Sequence, residues 1–178
     1  PHVLIVFLEG MRADSIGGSL AGREITPFLA RLAREGASSA HAYANSPYTA
    51  RARGQFIGGR LAPYPGQSTI VDDFHANGYE VAWFSAQDES FGARESSMLG
   101  LERVDVERLP RNRIRPGNSA GVHATYANAA ANVDRAIGIL VDELRARIGS
   151  GELAVIVTSD HGEALFEDGV LGHGLALD

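Results

Sequence analysis

The sequence predicts an α/β protein built on a doubly wound, mostly parallel sheet with helices on both faces. Three observations carry this expectation. Two short, nearly continuous apolar runs, 2–8 (HVLIVFL) and 153–158 (LAVIVT), suit strands buried on both faces, as in parallel sheets. Segments of helical spacing alternate with the strands. The composition is that of a globular domain, with 178 residues, 44% of them hydrophobic and 21% charged. That length suits one domain spanning residues 1–178.

The elements follow in chain order. After the first strand, Thr26-Pro27 marks a helix start, a capping hydroxyl followed by proline in the first turn. Phe28, Leu29 and Leu32 share one face of that helix, and Gly36 can end it. Thr49 can open a short helix through Ile57. Residues 68–77 read as a helix closed by Gly78, and 79–85 (YEVAWFS) as the next strand. Residues 86–120, with Gly92, Gly100, Pro110, Pro116 and Gly117, read as an irregular excursion. The strongest helical pattern is 122–148, where Tyr126, Ala130, Val133, Ile137, Leu140, Val141, Leu144 and Ile148 recur on one face. Gly149 and Gly151 stop it before the second apolar strand.

Composition excludes several classes. A net charge of −6 argues against nucleic acid as a partner. The absence of cysteine removes disulfides, thiolate metal sites and cysteine nucleophiles together. Every basic residue is arginine, so any side chain clamping an anion is Arg. No run approaches the ~18 apolar residues of a membrane span. The chain opens at Pro1 directly into a strand and closes at Asp178 inside a motif, which leads us to expect a fragment, truncated at the C-terminus.

Sites in open α/β sheets form at the carboxyl ends of strands. The first strand runs into Glu9, Gly10, Arg12 and Asp14, and the last into Asp160, His161, Gly162 and Glu163. A carboxylate from one strand and an Asp-His pair from another make a hard O/N ligand set. It suits Zn, Mn or Mg, and Ca less well. Taken alone, Glu9 could equally satisfy helix N-terminal amides, and Asp160-His161 could be a strand-end turn. Thr49 at a helix start would sit at the positive end of the dipole, with Arg51 and Arg53 in reach, though it could also be a plain N-cap beside solvated arginines. Asp14 reads as a partner that orients Arg12 or caps the following turn.

These segments together resemble the sulfatase branch of the alkaline phosphatase superfamily. The resemblance rests on LIVFLEGMRAD, TPFLARLAREG, TARAR followed by IGGR, TYANAAANVDRAIGILVDEL, and TSDHGEALFEDGVLGHG, in that order. It implies an alkaline phosphatase-like three-layer sandwich. The chain departs from the sulfatases themselves: position 49 is Thr rather than Cys or Ser, Arg51 stands at the motif's proline, and a lone Glu9 replaces paired Asp. These departures make it more similar to the threonine-nucleophile members, the phosphoethanolamine transferases and lipoteichoic acid synthases.

The resemblance implies a metal-dependent hydrolase or transferase acting on phosphate esters or phosphodiesters. Thr49 falls on the nucleophile position and Arg53 on the family arginine. Glu9, Thr49, Asp160 and His161 fall on the ligands of a divalent ion, Zn or Mn first, with Mg or Ca the other choices. His173 falls where the family binds metal or phosphate, or protonates the leaving group, and His123 could reach the phosphate or be a capping or surface residue. Two other readings stay open: a sulfuric ester hydrolase working without formylglycine, and a catalytically silent fragment or binding domain. The substrate would be a phosphate or sulfate ester. The transferase relatives are membrane-anchored with an extracytoplasmic catalytic domain, while sulfatase-like hydrolases can be soluble, so an anchor outside 1–178 is compatible with the sequence.

Overall fold

The computed structural model describes residues 1–86, 105–108, 119–167 and 169–173. The chain divides into two compact units, Pro1–Pro47 with Arg115–Asp178, and Tyr48–Ile114.

In the first unit, β1 (His2–Leu8) pairs in parallel with β6 (Leu153–Ser159), from His2 opposite Leu153 to Leu8 opposite Ser159. Both apolar runs are therefore strands, as predicted, and their parallel pairing brings Glu9 and Asp160 out at the same sheet end. Leu4, Val6 and Leu8 of β1 and Val155 and Val157 of β6 pack on Leu29, Ile137 and Val141. Those three belong to α1 (Pro27–Glu35) and α4 (Ser119–Ile148). Cover is lighter than the unbroken apolar runs suggest. Within this unit the two helices share one face of the strand pair, and Ile156, pointing the other way, is 47% exposed.

Helix α4 matches the predicted segment, but its buried stripe is rotated. Ala127, Ala130, Asp134, Ile137 and Val141 are buried at alternating spacings of three and four, whereas Val133 and Leu140 are exposed. The stripe turns because Asp134 has a task. Its carboxylate accepts the backbone N–H groups of Phe28, at 3.0 Å, and Leu29, at 2.7 Å, the unpaired donors of the first turn of α1. The expected capping hydroxyl is thus replaced. Thr26 Oγ1 donates instead to the Ser15 carbonyl at 2.6 Å, and no side chain at Thr26 caps the helix. Pro27 does occupy the first turn. Burying an aliphatic side chain such as the fully buried Val141 stabilises by about 1.5–3 kcal/mol.

Two short antiparallel pairs complete the unit: β2 (Ser19–Leu20) with β3 (Arg23–Glu24), and β7 (Ala164–Leu165) with β8 (Leu171–Gly172).

The second unit holds α2 (Thr49–Gly58), α3 (Ile70–Ala76), and β4 (Ala82–Ser85) paired in parallel with β5 (Asp105–Arg108). Its core joins Ile57 and Val71 with Phe56, Ile70, Val81 and Trp83. Helix α3 opens with a capping box: Thr69 Oγ1 accepts from Asp72 N while Asp72 accepts from Thr69 N. Strand β4 starts three residues later than the sequence suggests, because Tyr79 still belongs to the helix end. Its N–H donates to Phe74 O at 3.0 Å and its ring meets Phe74 edge-on at 5.2 Å. Of the expected irregular excursion 86–120, residues 105–108 form β5 and 119–120 begin α4. Residue 86 is also described, and the remainder, including Arg103, Arg111, Arg113 and Arg115, lies outside the described residues.

Candidate metal centre

The centre is built where β1 and β6 end. Asp160 N donates to Leu8 O at 3.0 Å, so the chain leaves β6 still held to β1. Gly10 follows Glu9 with φ +62°, the left-handed region that glycine enters without penalty. That turn points Gly10 N at Asp160 Oδ1, 2.9 Å away, and the same oxygen accepts His161 N at 2.8 Å. Next door, Ser159 Oγ accepts Met11 N at 2.9 Å. From α4, Tyr126 Oη donates to Gly10 O and accepts Arg12 N, each at 2.7 Å. Burial raises the Tyr126 phenol above its ordinary value and keeps it a donor. The loop carrying Glu9 is thereby fixed from two sides.

Ligand atoms of Glu9, His161 and His173 lie within 4.8 Å of one another. His161 is buried, while Glu9 and His173 open to solvent. His161 Nδ1 lies 2.9 Å from Gly162 O, a contact that requires the proton on Nδ1. Nε2, the other ring nitrogen, faces Glu9 Oε1 and Asp160 Oδ2, both at 3.3 Å. Asp160 Oδ2 is itself buried and accepts no hydrogen bond among the described residues. Two carboxylate oxygens turned toward one point, one of them buried, call for a cation between them. The residues therefore fit a divalent ion, and their oxygen and nitrogen donors suit Zn or Mn.

His173 arrives by the β7–β8 hairpin. Ala164 lies opposite Gly172, so the flanking Glu163 and His173 come side by side. The Glu163 carboxylate takes His173 Nδ1 at 2.9 Å, a carboxylate–imidazole pair of the kind that orients metal-binding histidines. The His161 and His173 rings lie 4.2 Å apart between centroids. Gly172, just before His173, has φ +104°. The role of Glu163 is one that sequence reasoning missed; the signal is its ten-residue spacing from His173 across a short hairpin.

Arg12 and Asp14 pair as the sequence suggested, Nε to Oδ1 at 2.9 Å and Nη2 to Oδ2 at 2.5 Å. The Arg12 guanidinium holds the Asp14 carboxyl below the usual carboxylate range, and Asp14 holds Arg12 above its own.

Thr49 and Arg53 lie in the second unit. Thr49 is the first residue of α2, so Tyr48 and not Thr49 is the N-cap. Arg53 is buried at 6% exposure, with its guanidinium carbon 5.9 Å from the Trp83 ring centroid. It is thus no part of a solvated arginine face. Arg51 is exposed. His123, also exposed, lies in the first turns of α4. Among the described residues no helix is long and apolar enough to cross a membrane.

Comparison with known proteins bears on both fold and family. No curated protein matches the chain by sequence. Among solved structures it is similar to the C-terminal periplasmic domain of EcEptC from Escherichia coli, with a TM-score of 0.67 over 98% of this chain and 68% of that one. Identity is 16%, so this likeness speaks to the fold, and it agrees with the expected α/β architecture. Residues 1–104 and 105–177 match the sulfatase family, and the chain therefore belongs to that family.

Proposed function

We propose that this domain is a metal-dependent hydrolase or transferase of phosphate esters or phosphodiesters, with Thr49 as its nucleophile. The observation that carries the reading is the convergence of Glu9, His161 and His173 at the end of β1 and β6, beside the buried Asp160 Oδ2. Glu9, Asp160 and His161 would hold the ion, Thr49 would complete the set, and the geometry favours His173 beside them. A bound divalent ion would lower the pKa of a hydroxyl and neutralise charge on a phosphoryl group.

The chain's own residues supply the rest. Thr49 Oγ loses its proton to solvent and attacks phosphorus, and the bond to the leaving oxygen breaks. Arg53 offsets charge on the equatorial oxygens, and the N-terminus of α2 adds to this. His173 binds phosphate or gives a proton to the leaving oxygen, and its pairing with Glu163 supports this role. The phosphothreonine so formed is resolved by water in a hydrolase and by an acceptor hydroxyl in a transferase. The substitution pattern of the nucleophile segment supports Thr49 in this role.

The family match favours a second reading, hydrolysis of sulfate esters. With no cysteine in the chain and Thr at position 49, it would have to work without formylglycine. The test is turnover of an aryl phosphodiester, an aryl phosphate and an aryl sulfate by the Zn- and Mn-loaded chain. Phosphoester turnover above sulfate turnover, lost in Thr49→Ala, is expected. Faster sulfate turnover would favour the second reading, and no turnover of any ester by metal-loaded protein would favour a silent binding domain.

A further inference from the structure

We propose that Arg12 is a positioning residue for His173, acting by clamping the β7–β8 hairpin at both its start and its turn. The inference rests on the reading of Glu9, His161 and His173 as a cation site. Each hairpin strand is only two residues long, and a two-stranded hairpin of that size does not hold its place alone. Leu165 is buried, and Arg12, in the loop that follows β1, bonds the hairpin at two places.

All three guanidinium nitrogens are engaged, through four of their five N–H donors. Asp14 takes Nε and Nη2, fixing the plane of the fork. Nη1 then reaches the Glu163 carbonyl at 2.9 Å and Glu167 Oε1 at 2.6 Å. Glu167 Oε2 turns back to accept Leu165 N at 2.6 Å, so one carboxylate joins Arg12 to the turn. Phe166 N donates to Val170 O at 2.8 Å and closes that turn. The Glu163 backbone is thus held by Arg12 while its side chain holds His173. Arg12 itself is fixed from behind by Tyr126 at its N–H. Only a planar fork with several donors spans these partners; an ammonium is a single point charge on a flexible stem.

The test measures zinc affinity by calorimetry, and folding by circular dichroism, in the wild type, R12A, R12K, H173A and R12A/H173A. The clamp predicts that R12A and R12K bind zinc about 10–100-fold more weakly, while R12A/H173A binds no more weakly than H173A. Unchanged affinity in R12A, or an equal further loss in the H173A background, would overturn it. Should R12A fail to fold, E167A removes the anchor at the turn and must show the same non-additivity with H173A. A metal-free readout separates the clamp from the site on which it rests. In the apo wild type, NMR should give ring-to-ring cross-relaxation between His161 and His173, and in R12A it should vanish. If the wild type binds no zinc, the metal reading fails, and the clamp stands or falls on that ring contact.

Discussion

Asp134 on α4 caps α1: its two carboxylate oxygens accept the backbone N–H groups of Phe28 and Leu29, and it is 2% exposed. Asp134→Ala strands both amides in a buried place. We expect a loss of about 2–3 kcal/mol in urea unfolding, with Asp134→Asn, which keeps one acceptor, costing less. Equal stability of Asp134→Ala and wild type would mean that water replaces the cap.

The same helix steadies the loop that carries Glu9, through Tyr126. Tyr126→Phe removes one oxygen that serves both Gly10 O and Arg12 N. Each hydrogen bond contributes about 1 kcal/mol net, so the variant should lose about 1–2 kcal/mol. It should also bind divalent metal more weakly, because the Glu9–Arg12 turn is no longer pinned. Calorimetric titration checks the second effect and denaturant unfolding the first.

These two residues show how much of the fold the sequence disclosed. The apolar runs made β1 and β6 legible, and proline, glycine and periodicity placed the helices to within a few residues. The cap on α1 was read from the nearest hydroxyl, Thr26, because local rules see only neighbours, while the carboxylate that does the capping comes from far along the chain. The apolar stripe of α4 includes Val133 and Leu140, which the structure exposes, because periodicity counts apolar residues and passes over the buried Asp134. At the centre, Glu9, Asp160 and His161 are legible as strand-end residues with ligand chemistry, and His173 only through the family resemblance. Glu163 and Glu167 are not, since their roles exist only once the hairpin pairs and meets Arg12.

Acid should loosen the clamp. Asp14 is lowered mainly by its hydrogen bond from Arg12, and Glu167 mainly by that from Leu165 N, with Arg12 adding to it. Both folded values lie below the unfolded ones. Their stabilisation is therefore complete above the unfolded carboxylate range and is lost as pH falls through the folded values, from about pH 5 toward 2. Both side chains are well exposed, so the effect is small and screened by salt. The thermal midpoint should fall more steeply over this range in the wild type than in Arg12→Gln. Parallel curves would contradict the assignment.

Thr49→Ala tests the nucleophile apart from the metal. Ester turnover should fall to background, while most of the metal binding stays with Glu9, Asp160 and His161. Retained turnover would remove Thr49 from the chemistry.

Bound metal decides whether the ends of β1 and β6 form a divalent metal centre. The purified chain is loaded with Zn or Mn, dialysed, and assayed by elemental analysis beside Asp160→Asn and His161→Ala. About one ion per folded wild-type chain is expected, lost in both variants. A folded wild-type chain that retains no metal would contradict it.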